Sequence, residues 1–287
     1  MIQVITEVGS INKAADLLHM SQPTLSKKVS RLEQKINMEL FNRDVNGMVP
    51  TEAARYLLAQ GDNLKVQLHS IERQLELMAN KVGGTVRIGV NPIIEQLILP
   101  KVLLDFAEQE HQFKLSVNTL PAAELLERLH SGHIDLAVGP FAVQDIPDEA
   151  TSTLSLSEKL VVAVRAEHEL SHQKNLTLSE LVRFKIVAPD IPKSMGAEIQ
   201  SFITHAQFEP DIVCENYVMA KLIVENSNYV TAGPESLFHK EFANGTLVKL
   251  TFNADIFWQC KCLAKPQTLL SPRVREVVDI FGQYMTS

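Results

Sequence analysis

At 287 residues the chain is about twice the ~150 residues taken as one domain, so two or three domains and a sizeable core are expected. Aromatic residues make up only 6%, and 27 Lys and Arg stand against 34 Asp and Glu, a formal charge of −7 that excludes a uniformly basic nucleic-acid coat. No apolar run reaches the ~18 residues of a membrane span and no leader pattern opens the chain, while the odd set Cys214, Cys260 and Cys262 fits reduced core thiols better than a disulfide framework, so a cytoplasmic location is expected.

The charge is unevenly distributed. Residues 1–60 hold seven basic and six acidic side chains, a net of +1 against −8 for the remainder. Ile2 to Val8 reads as a first helix. Ser10 then precedes Ile11, Ala14, Ala15 and Leu18, whose spacing gives a short helix capped by the Ser10 hydroxyl. His19-Met20 breaks the run. Ser21 is the next cap candidate, Pro23 sits in a first turn where its missing N–H costs little, and Leu25, Val29, Leu32 and Ile36 mark the apolar face of another helix. Away from that face stand Gln22, Thr24, Ser26, Lys27, Lys28 and Arg31, with Lys35 extending the cationic stripe and Glu33 opposing it. Two short helices joined by a tight turn make a helix-turn-helix. Gln can pair bidentately with adenine, Ser and Thr reach base edges or phosphates, and Lys or Arg take guanine or the backbone. A stripe of this kind on a merely solvated helix is the alternative.

Gly9-Ser10, Ala14-Ala15, Leu18, Ser21-Gln22-Pro23-x-Leu25-Ser26, Leu32-Glu33, Leu40-Phe41-x-Arg43 and Thr51-Glu52-Ala53 closely resemble the LysR-type transcriptional regulators. The resemblance implies a winged helix-turn-helix over 1–56, a linker helix over 57–82 and an α/β two-lobed effector domain over 83–287, similar to periplasmic solute-binding proteins. Its DNA contacts would be Ser21, Gln22, Pro23, Thr24, Ser26, Lys27, Lys28, Arg31 and, on the wing, Arg43. It also implies several residues ahead of Met1, so the first helix is expected to be short at its start. The wing carries Arg43 as its one basic residue beside Asp44, and Pro50 replaces the usual leucine, which predicts a weak grip on the adjacent groove.

From Thr51 to about Lys81 there is no proline. Leu57, Gly61, Leu64, Leu68, Ile71, Leu75 and Met78 recur at four and three, a heptad seam that predicts a homodimer through Leu57, Leu64, Leu68, Ile71, Leu75 and Met78. Burial of that stripe against the chain's own C-terminal half is the alternative. The resemblance implies pairs of dimers, hence a homotetramer, on double-stranded operator DNA, with RNA polymerase as a further partner.

After Gly83-Gly84 short apolar runs alternate with helical ones. Val86–Val90, Leu115–Thr119, Ile134–Val138, Lys159–Val164, Lys185–Ala188, Ile212–Cys214 and Tyr229–Ala232 read as strands; Pro92–Glu110, Pro121–His130, Met195–Ala206 and Tyr217–Glu225 read as helices. This is an α/β region with mainly parallel sheets. By resemblance lobe one takes about 85–162 and 266–287, including a C-terminal helix near Ser271–Tyr284, and lobe two about 163–265. In open α/β sheets ligands bind beyond the carboxyl ends of strands. Candidates for a small-molecule effector, which the resemblance puts in the cleft between the lobes, are therefore Asn91, Thr119, Pro140, Pro189, Asp190, Asn216 and Gly233; each also suits an ordinary turn or cap, and only convergence in that cleft would make them functional.

Two motifs invite other chemistry. His168-Glu169-Leu170-Ser171-His172 fits the H-E-x-x-H pattern of zinc hydrolases, but it follows a strand too closely to lie on the long helix such a site needs. Cys260 and Cys262 lie two apart in the run Phe257–Leu263 and read as buried small hydrophobes. No phosphate loop or nucleophile elbow is present. The sequence predicts a non-enzymatic regulator without metal or cofactor and without a membrane partner.

Overall fold

The computed structural model describes residues 1–44, 47–78, 84–173, 175–189, 209–253 and 255–285. The chain divides into two compact units, Met1–His69 and Ser70–Ser287. Among the described residues no helix is long and apolar enough to cross a membrane.

The first unit packs α1 (Ile2–Val8), α2 (Ile11–Leu17) and α3 (Gln22–Ile36) around Ile2, Ile5, Ala14, Ala15, Leu25, Val29, Leu40, Phe41 and Ala54. The alanine pair keeps α2 thin, and thin helices approach closely. Gly9, at φ +61, turns the chain between α1 and α2, and Ser10 caps α2 through a long bond from the Lys13 N–H, 3.5 Å. Past Leu18 the chain reverses through His19 at φ +52, where the apolar spacing lapses. Strands β1 (Phe41–Asp44) and β2 (Gly47–Pro50) pair antiparallel as the wing, and the Met48 N–H donates to the Gly9 carbonyl, 2.8 Å. Thr51 opens α4 (Glu52–Met78): its hydroxyl accepts from the Ala54 N–H and donates to the Glu39 carbonyl. Residues 79–83, where the linker helix was expected to end, lie outside the described set.

In the second unit β3 (Thr85–Val90) lies parallel to both β4 (Lys114–Thr119) and β5 (Leu136–Gly139). Between β3 and β4 the expected single helix is two, α5 (Pro92–Leu97) and α6 (Leu99–Glu108). Pro100 has no N–H to continue the first helix and instead sits in the opening turn of the second. Helix α7 (Ala122–His130) leads to β5.

The expectation of mainly parallel sheets needs correction. Strand β6 (Thr151–Arg165) is 15 residues long and antiparallel to its neighbours, whereas the apolar run marked only Lys159–Val164. Its first half is half-exposed, so Thr151-Ser152-Thr153 and Ser155 look like loop in the sequence. The strand pairs with β11 (Phe257–Ala264) up to Lys159, and from Leu160 onward with β9 (Thr231–Pro234) and β10 (Leu247–Thr251). Strand β11, grouped with lobe two by the sequence, also pairs with β5.

Besides β9 and β10 this half contains α8 (Leu178–Leu181), β7 (Val187–Ala188), β8 (Ile212–Val213), α9 (Tyr217–Glu225) and α10 (His239–Asn244). Strands β7 and β8 are parallel, and a parallel bridge from Ile186 to Val230 sets β7 beside the approach to β9. Helix α11 (Pro272–Gly282) buries Val274, Val277, Ile280 and Phe281. The expected helix Met195–Ala206 lies outside the described residues.

Candidate nucleic-acid interface and ligand crevice

Helix α3 buries Leu25 and Val29, while Ser21, Pro23, Thr24, Lys27, Lys28 and Arg31 are exposed and Gln22 and Ser26 half-buried. Leu32 is only half-buried and Ile36 is exposed, so the apolar face is narrower than its spacing predicts. Ser21 stands at the N-cap, but its hydroxyl bonds the Thr24 hydroxyl, 2.8 Å, instead of a backbone N–H. Glu33, which the sequence showed only as an opposing charge, accepts from the Leu40 N–H at 2.9 Å and so ties the end of α3 to the start of the wing. Arg43 has its backbone in β1 opposite Met48. The unit thus presents exposed hydroxyls and cations along one helix, a surface suited to phosphates and base edges.

In the second unit the strand order singles out one candidate place for a ligand. β3 lies between β4 and β5, so the crossovers leaving β3 and β4 run in opposite directions, the arrangement in which α/β sheets form a crevice beyond the carboxyl ends of the strands, here β3 and β5. Asn91 and Pro140 are the residues there. Both are buried, and the Asn91 N–H donates to the Val138 carbonyl at 2.9 Å. A Cβ at Gly139 would stand 3.5 Å from that of Asn91. Thr119 ends the outer strand β4, away from this point, and is exposed.

The second half repeats the order, with β7 between β8 and the residues leading into β9, which puts Pro189 at the equivalent place after β7. Gly233 lies within β9, opposite Val161, because the strand runs two residues later than the sequence suggested. Asn216, like Thr119, belongs to the outer position and is exposed. Asp190 lies outside the described residues. Asn91 and Asn216 both act as helix caps, their Oδ1 atoms accepting from Ile94 and Val218 N–H.

Two features of this region were not legible in the sequence. Tyr217, fully buried, donates its hydroxyl to the Ala232 carbonyl at 2.7 Å and covers Gly233, where a Cβ would meet the phenol oxygen at 3.1 Å. Burial, and then the nearby Glu215 charge, push its pKa far up. Glu158, in the half of β6 paired with β11, accepts from both the hydroxyl and the N–H of Ser236 beside β9. No periodicity could have announced a contact 78 residues apart.

Along α4 the seam residues Leu57, Leu64, Leu68, Ile71 and Leu75 are between 39% and 66% exposed. Met78 ends the helix. The H-E-x-x-H pattern falls on turns: His168 is buried, its Nδ1 accepts from the Leu170 N–H and its Nε2 faces the Asn228 carbonyl, so neither nitrogen points to a site shared with exposed His172. Cys260 and Cys262 are buried on one face of β11.

Residues 1–55 match the family described as bacterial regulatory helix-turn-helix protein, lysR family, and residues 79–286 match the LysR substrate binding domain. A probable RuBisCO transcriptional regulator from Cyanophora paradoxa is 27% identical over 204 residues, 71% of this chain and 63% of that protein. The uncharacterized HTH-type transcriptional regulator YdcI of Escherichia coli is 29% identical over 183 residues, 64% of this chain and 59% of its own length. The chain thus spans about three fifths of the length of these curated relatives. Among solved structures, a hydrogen peroxide-bound OxyR mutant of Corynebacterium glutamicum superposes with TM-score 0.57 at 18% identity, covering 99% of this chain and 90% of that one. HinK, a LysR family transcriptional regulator from Pseudomonas aeruginosa, gives 0.56 at 19%, covering 99% and 96%. At these identities the superpositions speak for the fold.

Proposed function

Because this chain belongs to the LysR family of bacterial transcriptional regulators, we propose that it binds operator DNA through α3 and the wing, as a homodimer or homotetramer joined along α4, and responds to a small molecule in the crevice of its second unit. The observation that carries the DNA reading is the exposed face of α3: Ser21, Thr24, Lys27, Lys28 and Arg31 stand clear of the core on one short helix of a helix-turn-helix, with Gln22 and Ser26 beside them. Cations there hold phosphates, and the amide and hydroxyls read bases.

The oligomer reading rests on the exposed heptad stripe. A leucine left in water gives up roughly 1.5–3 kcal/mol that burial against a second copy recovers, and five such residues lie on one helix. The effector reading is supported by the repeated strand order, in which Asn91 and Pro140, and Pro189 in the second half, follow the carboxyl ends of neighbouring strands. Contact with RNA polymerase and a place in the cytoplasm belong to the same proposal, and no catalytic role is assigned.

Footprinting on genomic fragments, including the DNA upstream of the gene itself, tests the reading across a salt series. Protection at spaced half-sites that weakens steeply with salt is the expected result. Absence of protection even at low salt overturns it.

A further inference from the structure

We propose that Arg73 is the positioning residue that fixes the last turns of α4, and with them the seam residues Ile71 and Leu75, to the same two strands whose far ends form the first crevice. The inference rests on the reading of α4 as a seam between copies. Its observation is a charged side chain where none is expected. Arg73 sits near the end of a helix whose neighbouring charged residues Glu72 and Glu76 are exposed, yet its side chain is 6% exposed and its partner Asp135 1%.

The guanidinium grips both carboxylate oxygens of Asp135 in a fork, through Nε at 2.8 Å and through Nη2. Nη2 also donates to the Thr85 carbonyl at the start of β3, and Nη1 to Glu76 one turn along the helix. Asp135, directly before β5, accepts in addition from the Arg87 N–H of β3, and its own N–H donates to the Arg87 carbonyl. One ion pair therefore joins α4 to the amino-terminal edge of β3 and of β5 at once.

The surrounding contacts point the same way. On the face of α4 turned inward, Leu77 is buried in the core, Gln74 donates to the Gln267 carbonyl, and Ser70 lies against Gly132, where an added Cβ would stand 3.2 Å from the Ser70 Cα. Lys265 reaches both the Ser70 hydroxyl and the His130 carbonyl. Ser70, Arg73, Gln74 and Leu77 follow helical spacing on the bound face, while Ile71 and Leu75 fall on the opposite, exposed one. Leu77 holds the helix near the sheet but leaves its rotation and its sliding unspecified, because apolar contacts are not directional, and the hydrogen bonds of Ser70 and Gln74 each tie it at a single point. A bidentate guanidinium fork is directional, and it sets both.

A buried ion pair is poor evidence of stability, since apolar residues of similar volume often serve as well. What the pair supplies here is geometry. β3 runs from the Arg73 fork to Asn91, and β5 from Asp135 to Gly139 and Pro140, so a change at the crevice and a change at the seam act on two ends of the same short strands.

The test uses the full chain in a Cys214→Ser background. Nitroxides on Glu72→Cys of α4 and Glu127→Cys of α7, both exposed positions, report the separation of helix and lobe, with labelled subunits diluted by unlabelled ones. The parent is expected to give one narrow distance. Asp135→Asn removes the charge partner, and because an unpaired buried arginine can unfold the unit, Arg73→Met/Asp135→Leu removes the pair while keeping apolar volume. Loss of the single narrow distance in a variant that still melts cooperatively is the expected result; the same narrow distance in the folded double variant overturns the proposal. The measurement needs no DNA, so failure of the parent to bind an operator would sink the regulator reading separately.

Discussion

Gly47 lies so close to Gly9 that a Cβ added to it would stand 2.3 Å from the Gly9 carbonyl oxygen. The wing strand β2 is thereby pinned to the turn between the first two helices, with the Met48 N–H closing the contact. Gly47→Ala is expected to destabilise the first unit by about 1–3 kcal/mol, because its φ of +108 is itself costly for any side chain and the oxygen cannot move away. Gly61→Ala, in a helix with open space around the new methyl, should instead stabilise by roughly 0.5–1 kcal/mol. Denaturant melts of the two variants check the pair, and a neutral Gly47→Ala would show that the wing is not held there.

Base reading and phosphate binding separate on α3. Gln22→Ala should narrow the difference between operator variants by ~1–3 kcal/mol, as expected for a lost bidentate base contact. Lys28→Ala should weaken every sequence alike and lower the salt slope by about one. Binding curves on matched and mismatched operators over a salt series distinguish them. Equal losses for Gln22→Ala on all sequences would remove it from the readout.

The seam makes a prediction of its own. Leu68 is 57% exposed midway along the stripe, and Leu68→Lys would leave a charge facing its copy across a two-fold axis. Light scattering should show the mass falling toward that of one chain, with the helix content of the monomer retained. A mass unchanged at micromolar concentration would place the dimer contact elsewhere.

What the sequence disclosed, and what it hid, follows from the range of the interactions. Ser10, Ser21 and the spacing of Leu25 and Val29 are local signals, and the helices they predict are present with nearly the expected ends. Asn91 and Pro140 were legible as residues after strands, but the strand order that sets them beside a crevice, and leaves Thr119 outside it, is a long-range property. Strand β6 was read at less than half its length because only its second half is buried on both faces. Arg73 gives no local signal at all, since nothing near it in the chain announces Asp135 62 residues later.

The cysteines offer a pH prediction with a definite sign. Burial raises the Cys262 pKa from an ordinary 9.0 to about 11, and burial together with the neighbouring Cys262 raises that of Cys260 well above the ordinary value. The folded state holds these protons more tightly than the unfolded chain, so their contribution is complete below about pH 9 and is lost as the pH climbs from 9 toward 11. For Cys262 alone that loss is on the order of 2 kcal/mol. Thermal midpoints should therefore fall across this alkaline window, and less so in Cys262→Ala once its own cavity cost is subtracted at pH 7. Thiol titration at pH 8 gives the companion result. Half-buried Cys214 should react first, and Cys260 and Cys262 only at the rate of unfolding. Three thiols reacting together in the native protein would mean that β11 opens on its own, and the alkaline prediction would fall with it.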